Sequence, residues 1–136
     1  MANLSSSSVG RHSELLAMAA LIADGWCVHE ATTPEAHDIF AYKKDEVGNI
    51  TQSQRIQVKT IVTRERDGHR YYVIRGLKNS GHVYTTTDCD AFIGVVEGRV
   101  FMTACTGLTE YWIKAEEVAE RWTELAVTIN NNAEAI

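Results

Sequence analysis

The chain has 136 residues, 45% of them hydrophobic and 23% charged, and a net charge of −5. This length suits one domain, 1–136, whose core can stand without disulfide or metal staples. No apolar run approaches the ~20 residues that span a bilayer, and the leading Met-Ala-Asn-Leu-Ser-Ser-Ser-Ser lacks the basic and apolar regions of a secretory signal.

Cys27, Cys89 and Cys105 are odd in number, widely spaced and without a CxxC pair. That usage fits a reducing cytoplasm and argues against a zinc site. The five histidines form neither HExxH nor HxH and are read as structural or solvent-facing. Charge is uneven along the chain. Residues 43–78 hold nine Lys and Arg against four acids, and the remainder holds four against fourteen. A basic segment inside an acidic protein suggests one face for an anionic partner.

Residues 1–8 are serine-rich and aperiodic, and read as a disordered leader. The first helix is predicted from about Val9 to Asp24 with Ser7 or Ser8 as N-cap. Its apolar stripe is Leu15, Met18, Ala19 and Ile22, with Leu21 alongside, which places Glu14 at the stripe's margin. Gly25 suits the left-handed residue that ends a helix. Residues 26–29 read as a short strand and 31–35 as a loop. Residues 37–43 form the next strand, and a turn at 44–49 leads into a long strand over 50–64. Asp67-Gly68 is a hairpin signal, followed by a strand at 71–75. Residues 76–89 read as a mobile polar loop. The apolar run 90–96 reads as a central strand buried on both faces. Glu97-Gly98 then turns the chain into 99–104. A last helix is predicted over 115–126 from Ala115, Val118, Ala119, Trp122, Leu125 and Ala126. Residues 130–136 should fray.

In the long strand, Gln57 and Lys59 share one face while Val58 points the other way. Hydrolysis of a phosphodiester needs a cation to polarise a phosphate oxygen and activate water. Mg²⁺, with Mn²⁺ as its substitute, takes oxygen ligands, usually one or two carboxylates with waters and substrate phosphate. Asp38 would be the primary ligand, with the Gln57 amide oxygen and the Val58 carbonyl beside it and Glu14 holding a metal-bound water. Lys59 would place the nucleophile and stabilise charge building on the phosphate. Lys43, Lys44, Arg55, Arg64 and Arg66 are the candidate DNA contacts. Asp88 and Asp90 read as capping or turn residues, and Tyr71, Tyr72 and Tyr84 as packing.

A helix with Glu14, then Asp38, a hairpin and Gln57-Val58-Lys59 resembles the PD-(D/E)xK nuclease superfamily over roughly residues 9–96. The group includes restriction enzymes, archaeal Holliday-junction resolvases and certain intron-encoded homing endonucleases. The resemblance implies an α/β, restriction-endonuclease-like core with a mixed central sheet flanked by helices. It makes Asp38 the first acid, Gln57 the second acidic position, Lys59 the lysine and Glu14 the helical glutamate. His37 replaces the name-giving proline, and Gln57 replaces a carboxylate, as in the QxK variant of the homing branch. The implied protein is a Mg²⁺-dependent DNA endonuclease, cytoplasmic and of bacterial, archaeal or phage origin. One small site cuts one strand, so a homodimer or higher even oligomer is expected. A catalytically silent nucleic-acid binder and a protein-interaction module remain as alternatives.

Overall fold

The computed structural model describes residues 3–129. The first helix, α1 (Ser6–Ala23), starts earlier than the sequence suggests, because Ser5 is its N-cap and accepts from the Ser8 N–H. Residues 6–8, expected in the leader, are therefore helical. Its buried face is Ser13, Ala17, Ala20 and Leu21, so the apolar stripe lies rotated from the predicted one. Leu15 and Ile22 are 51% and 55% exposed. Small residues on the inner face let the helix backbone approach the sheet closely.

Among the described residues nine strands follow, forming two sheets. Strands β1 (Cys27–Glu30), β2 (Ile39–Lys44), β3 (Ile50–Thr60), β6 (Ala91–Val96), β7 (Arg99–Ala104) and β9 (Thr123–Leu125) form a six-stranded sheet in the order β1-β2-β3-β6-β7-β9. It is mixed: β3 and β6 run parallel, and the other neighbours are antiparallel. Strands β4 (Val62–Arg66), β5 (His69–Arg75) and β8 (Glu110–Lys114) form a second, antiparallel sheet. The α/β class and mixed central sheet are as expected. Every residue of β6 is buried, which is why its sequence is a continuous apolar run.

The long strand predicted over 50–64 is two strands. Ile61 still donates to the Val95 carbonyl, after which the chain leaves the large sheet and begins β4. The Asp67-Gly68 hairpin therefore belongs to the small sheet, and β5 does not border β3. The two sheets stack closely. A Cβ placed on Gly94 would lie 2.7 Å from Ile61 Cγ1 and 2.8 Å from Ile74 Cδ1.

Two cores result. Under α1 lie Ala17, Leu21, Ile56, Val58, Ile93 and Val100. Between the sheets lie Ile74, Tyr84, Phe92, Phe101 and Trp122. The predicted last helix is a 3₁₀ turn (Ala115–Glu117), a single helical turn α2 (Val118–Arg121), and then β9. Its apolar spacing is helical, but Trp122 packs in the inter-sheet core and Leu125 in the α1 core. One helix stripe cannot serve both faces of a sheet, so the chain turns extended at Trp122. Residues 130–136, expected to fray, lie outside the described part. No described helix is long and apolar enough to cross a membrane.

Candidate active site

The site forms where β2 ends its pairing with β3. The last matched pair is Ile39↔Ile56, beyond which one edge of β3 has no strand neighbour among the described residues. Asp38 closes this opening. Its backbone N–H donates to the Ile56 carbonyl at 2.9 Å, and its Oδ2 accepts from the Val58 N–H at 3.0 Å. The carboxylate thus takes the place of a main-chain carbonyl on β3's free edge. In a strand the N–H and C=O of one residue point to the same side. The Val58 carbonyl therefore faces the edge that Asp38 borders.

Lys59 stands on the inter-sheet side of β3, opposite Gly94. Lys59 Nζ donates to the Leu77 carbonyl at 3.1 Å and lies 5.0 Å from the centre of the Tyr84 ring. Gln57 is half-buried, and its amide takes no hydrogen-bond partner among the described residues.

Glu14 approaches from α1. The helix is fixed to the end of β3 by the Ser13–Thr60 hydroxyl pair at 2.7 Å. The sequence reading does not anticipate Arg11, which holds Glu14 at 3.0 Å and Glu30 at 2.7 Å. One cation thus keeps two carboxylates in place beside the edge.

The electrostatics are unbalanced. Burial pushes the Asp38 carboxyl above the usual carboxylate range; the Val58 hydrogen bond opposes this and the negative Glu14 adds to it. Burial lowers Lys59 from the ordinary lysine value, with Asp38 opposing the shift and Arg75 adding to it. Each group acts on the other, yet no ion pair forms between them within 4.0 Å. Two carboxylates repel across a half-buried edge, which is an arrangement a cation would relieve. The donors expected from the sequence are the second Asp38 oxygen, Glu14, the Gln57 amide oxygen and the Val58 carbonyl, all oxygens of the kind a hard divalent ion takes. Among the described residues no three His, Cys, Asp or Glu side chains form a metal-binding group. A metal here would therefore depend on amide and main-chain oxygens.

The five candidate DNA contacts divide. Arg55 is fully engaged, donating to both Asp90 oxygens at 3.0 and 3.1 Å and to the Thr86 and Thr87 carbonyls at 2.8 Å. Lys43 lies 3.5 Å from Asp24 and over the Trp26 ring. Arg64 is 4.0 Å from Glu110, and Arg66 lies 4.4 Å from the Trp112 ring centre. Lys44 is exposed near the Asp45–Asn49 tip of the β2–β3 hairpin. The loop expected to be mobile is instead pinned. Tyr84 bonds to Gly76, Lys78 to His82, and the Lys78 ammonium to Asp88 at 2.8 Å.

No protein-family model matches the chain, and no curated protein matches it in sequence. Among solved structures it is similar to a bacterial homing endonuclease, I-Ssp6803I, at 18% identity and a TM-score of 0.60. The match covers 81% of this chain and 78% of that one. The chain therefore has a homing-endonuclease-like fold.

Proposed function

We propose that the protein is a metal-dependent DNA endonuclease that hydrolyses phosphodiester bonds, a PD-(D/E)xK enzyme of the QxK type. The observation that carries the reading is the Asp38–Lys59 pair at the open edge of β3. An acid held above its usual range and a lysine held below its own, close but unpaired, suit reactive groups better than a structural ion pair. The fold's likeness to a protein described as a homing endonuclease supports the same class.

In this reading Asp38, Glu14, Gln57 and the Val58 carbonyl hold Mg²⁺, with Mn²⁺ as an alternative. The ion would supply positive charge to polarise a phosphate oxygen. Lys59, held by Leu77 and Tyr84, orients the attacking water and stabilises charge on the phosphate. The substrate is DNA, either a duplex site or a branched junction. A homodimer or higher even oligomer would bring a second site to the other strand.

The neutral Gln57 favours a second reading, a silent DNA binder on the same fold. One assay separates the two. Plasmid and four-way-junction DNA are incubated with native protein in Mg²⁺, Mn²⁺ or EDTA. Cleavage in either metal, absent in EDTA and in Asp38→Ala, is expected. Binding without cleavage in any metal, with cutting acquired by Gln57→Glu, would replace the proposal with the silent binder.

A further inference from the structure

Beside Lys59 lies a cleft of about 280 Å³ lined by Lys59, Arg75, Leu77, Lys78 and Asn79. Three of its five lining side chains are cationic. Arg75 closes β5 and makes no ion pair among the described residues. Glu110, opposite it on β8, is instead shared by Arg64 and the Trp112 indole. Among the described residues Lys78 has a single carboxylate partner, Asp88. The cleft therefore carries more positive charge than its surroundings neutralise.

Its walls are ordered. The Leu77↔Val83 bridge, the bonds Gly76 N–H to Thr109 O (2.7 Å), Gly81 N–H to Lys78 O (2.9 Å) and Tyr84 N–H to Gly76 O (2.9 Å) fold residues 76–84 into a closed hairpin. Asp88 steadies Lys78 from behind and accepts from the Thr85 N–H at 2.9 Å. The Tyr84 ring underlies both lysines, 5.0 Å from Lys59 Nζ and 5.7 Å from Lys78 Nζ. Like charges are thus held together around a space open to solvent, with Asn79 adding an uncharged donor at the rim. Such an arrangement favours an anion with several acceptor oxygens. Lys59 forms one wall of the cleft and also belongs to the candidate site, so the two share that side chain.

We propose that this cleft binds a backbone phosphate of the substrate strand next to the one that is cut, held by Arg75, Lys78 and Asn79. This rests on the endonuclease reading and adds residues outside the five expected contacts. The cleft places one phosphate so that its neighbour along the strand reaches Lys59 and Asp38.

The test is binding of a labelled 25-base-pair duplex in EDTA, followed by fluorescence anisotropy over a range of salt. Arg75→Gln and Lys78→Gln should each weaken affinity roughly three- to tenfold, and each should lower the slope of log K against log salt by about 0.9. Asp88→Asn keeps an oxygen for the Thr85 N–H but removes the competing charge, so it should tighten binding. A purely structural loop would instead loosen and bind more weakly. Arg121→Gln, on α2, should leave affinity and slope as they are. Native protein that binds and cuts DNA, with unchanged slopes in Arg75→Gln and Lys78→Gln, would overturn the cleft and leave the nuclease reading standing. Native protein that neither binds nor cuts DNA would overturn the nuclease reading. In that case thymidine 3′,5′-bisphosphate, titrated by NMR, decides the cleft alone. Shifts at residues 75–79 that vanish in Arg75→Gln keep it as a phosphate site, and their absence removes it.

Discussion

Strand β3 carries two acid–base clusters only a few residues apart, and they differ in kind. At Arg55 the guanidinium meets both Asp90 oxygens and two carbonyls, while the Arg55 N–H also bonds to Asp90 Oδ2 at 2.8 Å. Hydrogen bonding to Asp90 pushes Arg55 further toward its charged state, and Arg55 holds Asp90 below the usual carboxylate range. At Lys59 the directions reverse. Asp38 is raised and Lys59 lowered, each by burial that its partner does not offset. The first cluster is a completed structural clamp joining β3 to residues 86–90. The second is left open on the free edge of the same strand. The difference lies in the number of partners. Asp38 has one main-chain donor, whereas Asp90 has a fork of guanidinium donors besides its own.

Mutation to alanine separates the two clusters most sharply. Lys59→Ala and Asp38→Ala should each reduce cleavage by about 10³-fold or more, the scale of losing a group that stabilises transition-state charge. Duplex affinity should fall little in Lys59→Ala, because the proposed affinity would rest on phosphate contacts spread over several cations. Single-turnover cleavage beside anisotropy titration separates the two effects. Undiminished cleavage in both variants would place the active site elsewhere.

Arg55→Ala should act the other way, on folding rather than chemistry. Losing a hydrogen-bonded, partly exposed ion pair should cost about 1–2 kcal/mol after solvent screening, read as a lower urea midpoint. Its stabilisation through Asp90 is present above the unfolded carboxylate value near ~3.9. It fades as pH falls through the depressed folded value. Native protein should therefore lose its advantage over Arg55→Ala in acid. An equal gap at all pH values would show that the Arg55–Asp90 pair does not stabilise the fold.

The smallest effect sharpens the contrast at Asp38. Its folded pKa is raised, so the folded state binds the proton more tightly, and this contribution to stability is lost as pH rises through the folded value. Without metal at neutral pH, Asp38→Asn should thus match or slightly exceed native stability, by up to about 1 kcal/mol. Mg²⁺ should stabilise the native protein and leave Asp38→Asn unmoved. Thermal melts of both proteins with and without Mg²⁺ check this, and equal Mg²⁺ shifts in the two would argue against Asp38 as a ligand.

Where local pattern and burial agree, the sequence was enough. Alternation put Gln57 and Lys59 on one face, the apolar run 90–96 is the buried β6, and Asp67-Gly68 is a hairpin with Asp67 at φ 53°. Glu14 remained at a helix margin even though α1 turned a different face inward. The same pattern misled at Ile61, where no glycine or proline marks the break between β3 and β4. Packing of Ile61 and Ile74 against Gly94 accompanies that switch of sheets. Arg55 read as a DNA contact because its partner Asp90 is thirty-five residues away.

The sequence by itself determined the elements whose side-chain period is local: α1, the β2–β3 hairpin, β6, and the order of Glu14, Asp38, Gln57 and Lys59. Tertiary structure alone decided which charges are satisfied and which are left open. It paired Arg55 with Asp90, gave Lys59 a carbonyl rather than a carboxylate as its close partner, and sent Trp122 and Leu125 to opposite faces of one sheet. The physical reason is that propensity and periodicity act over a few residues, whereas burial and Coulomb interaction depend on distances that only the folded chain sets.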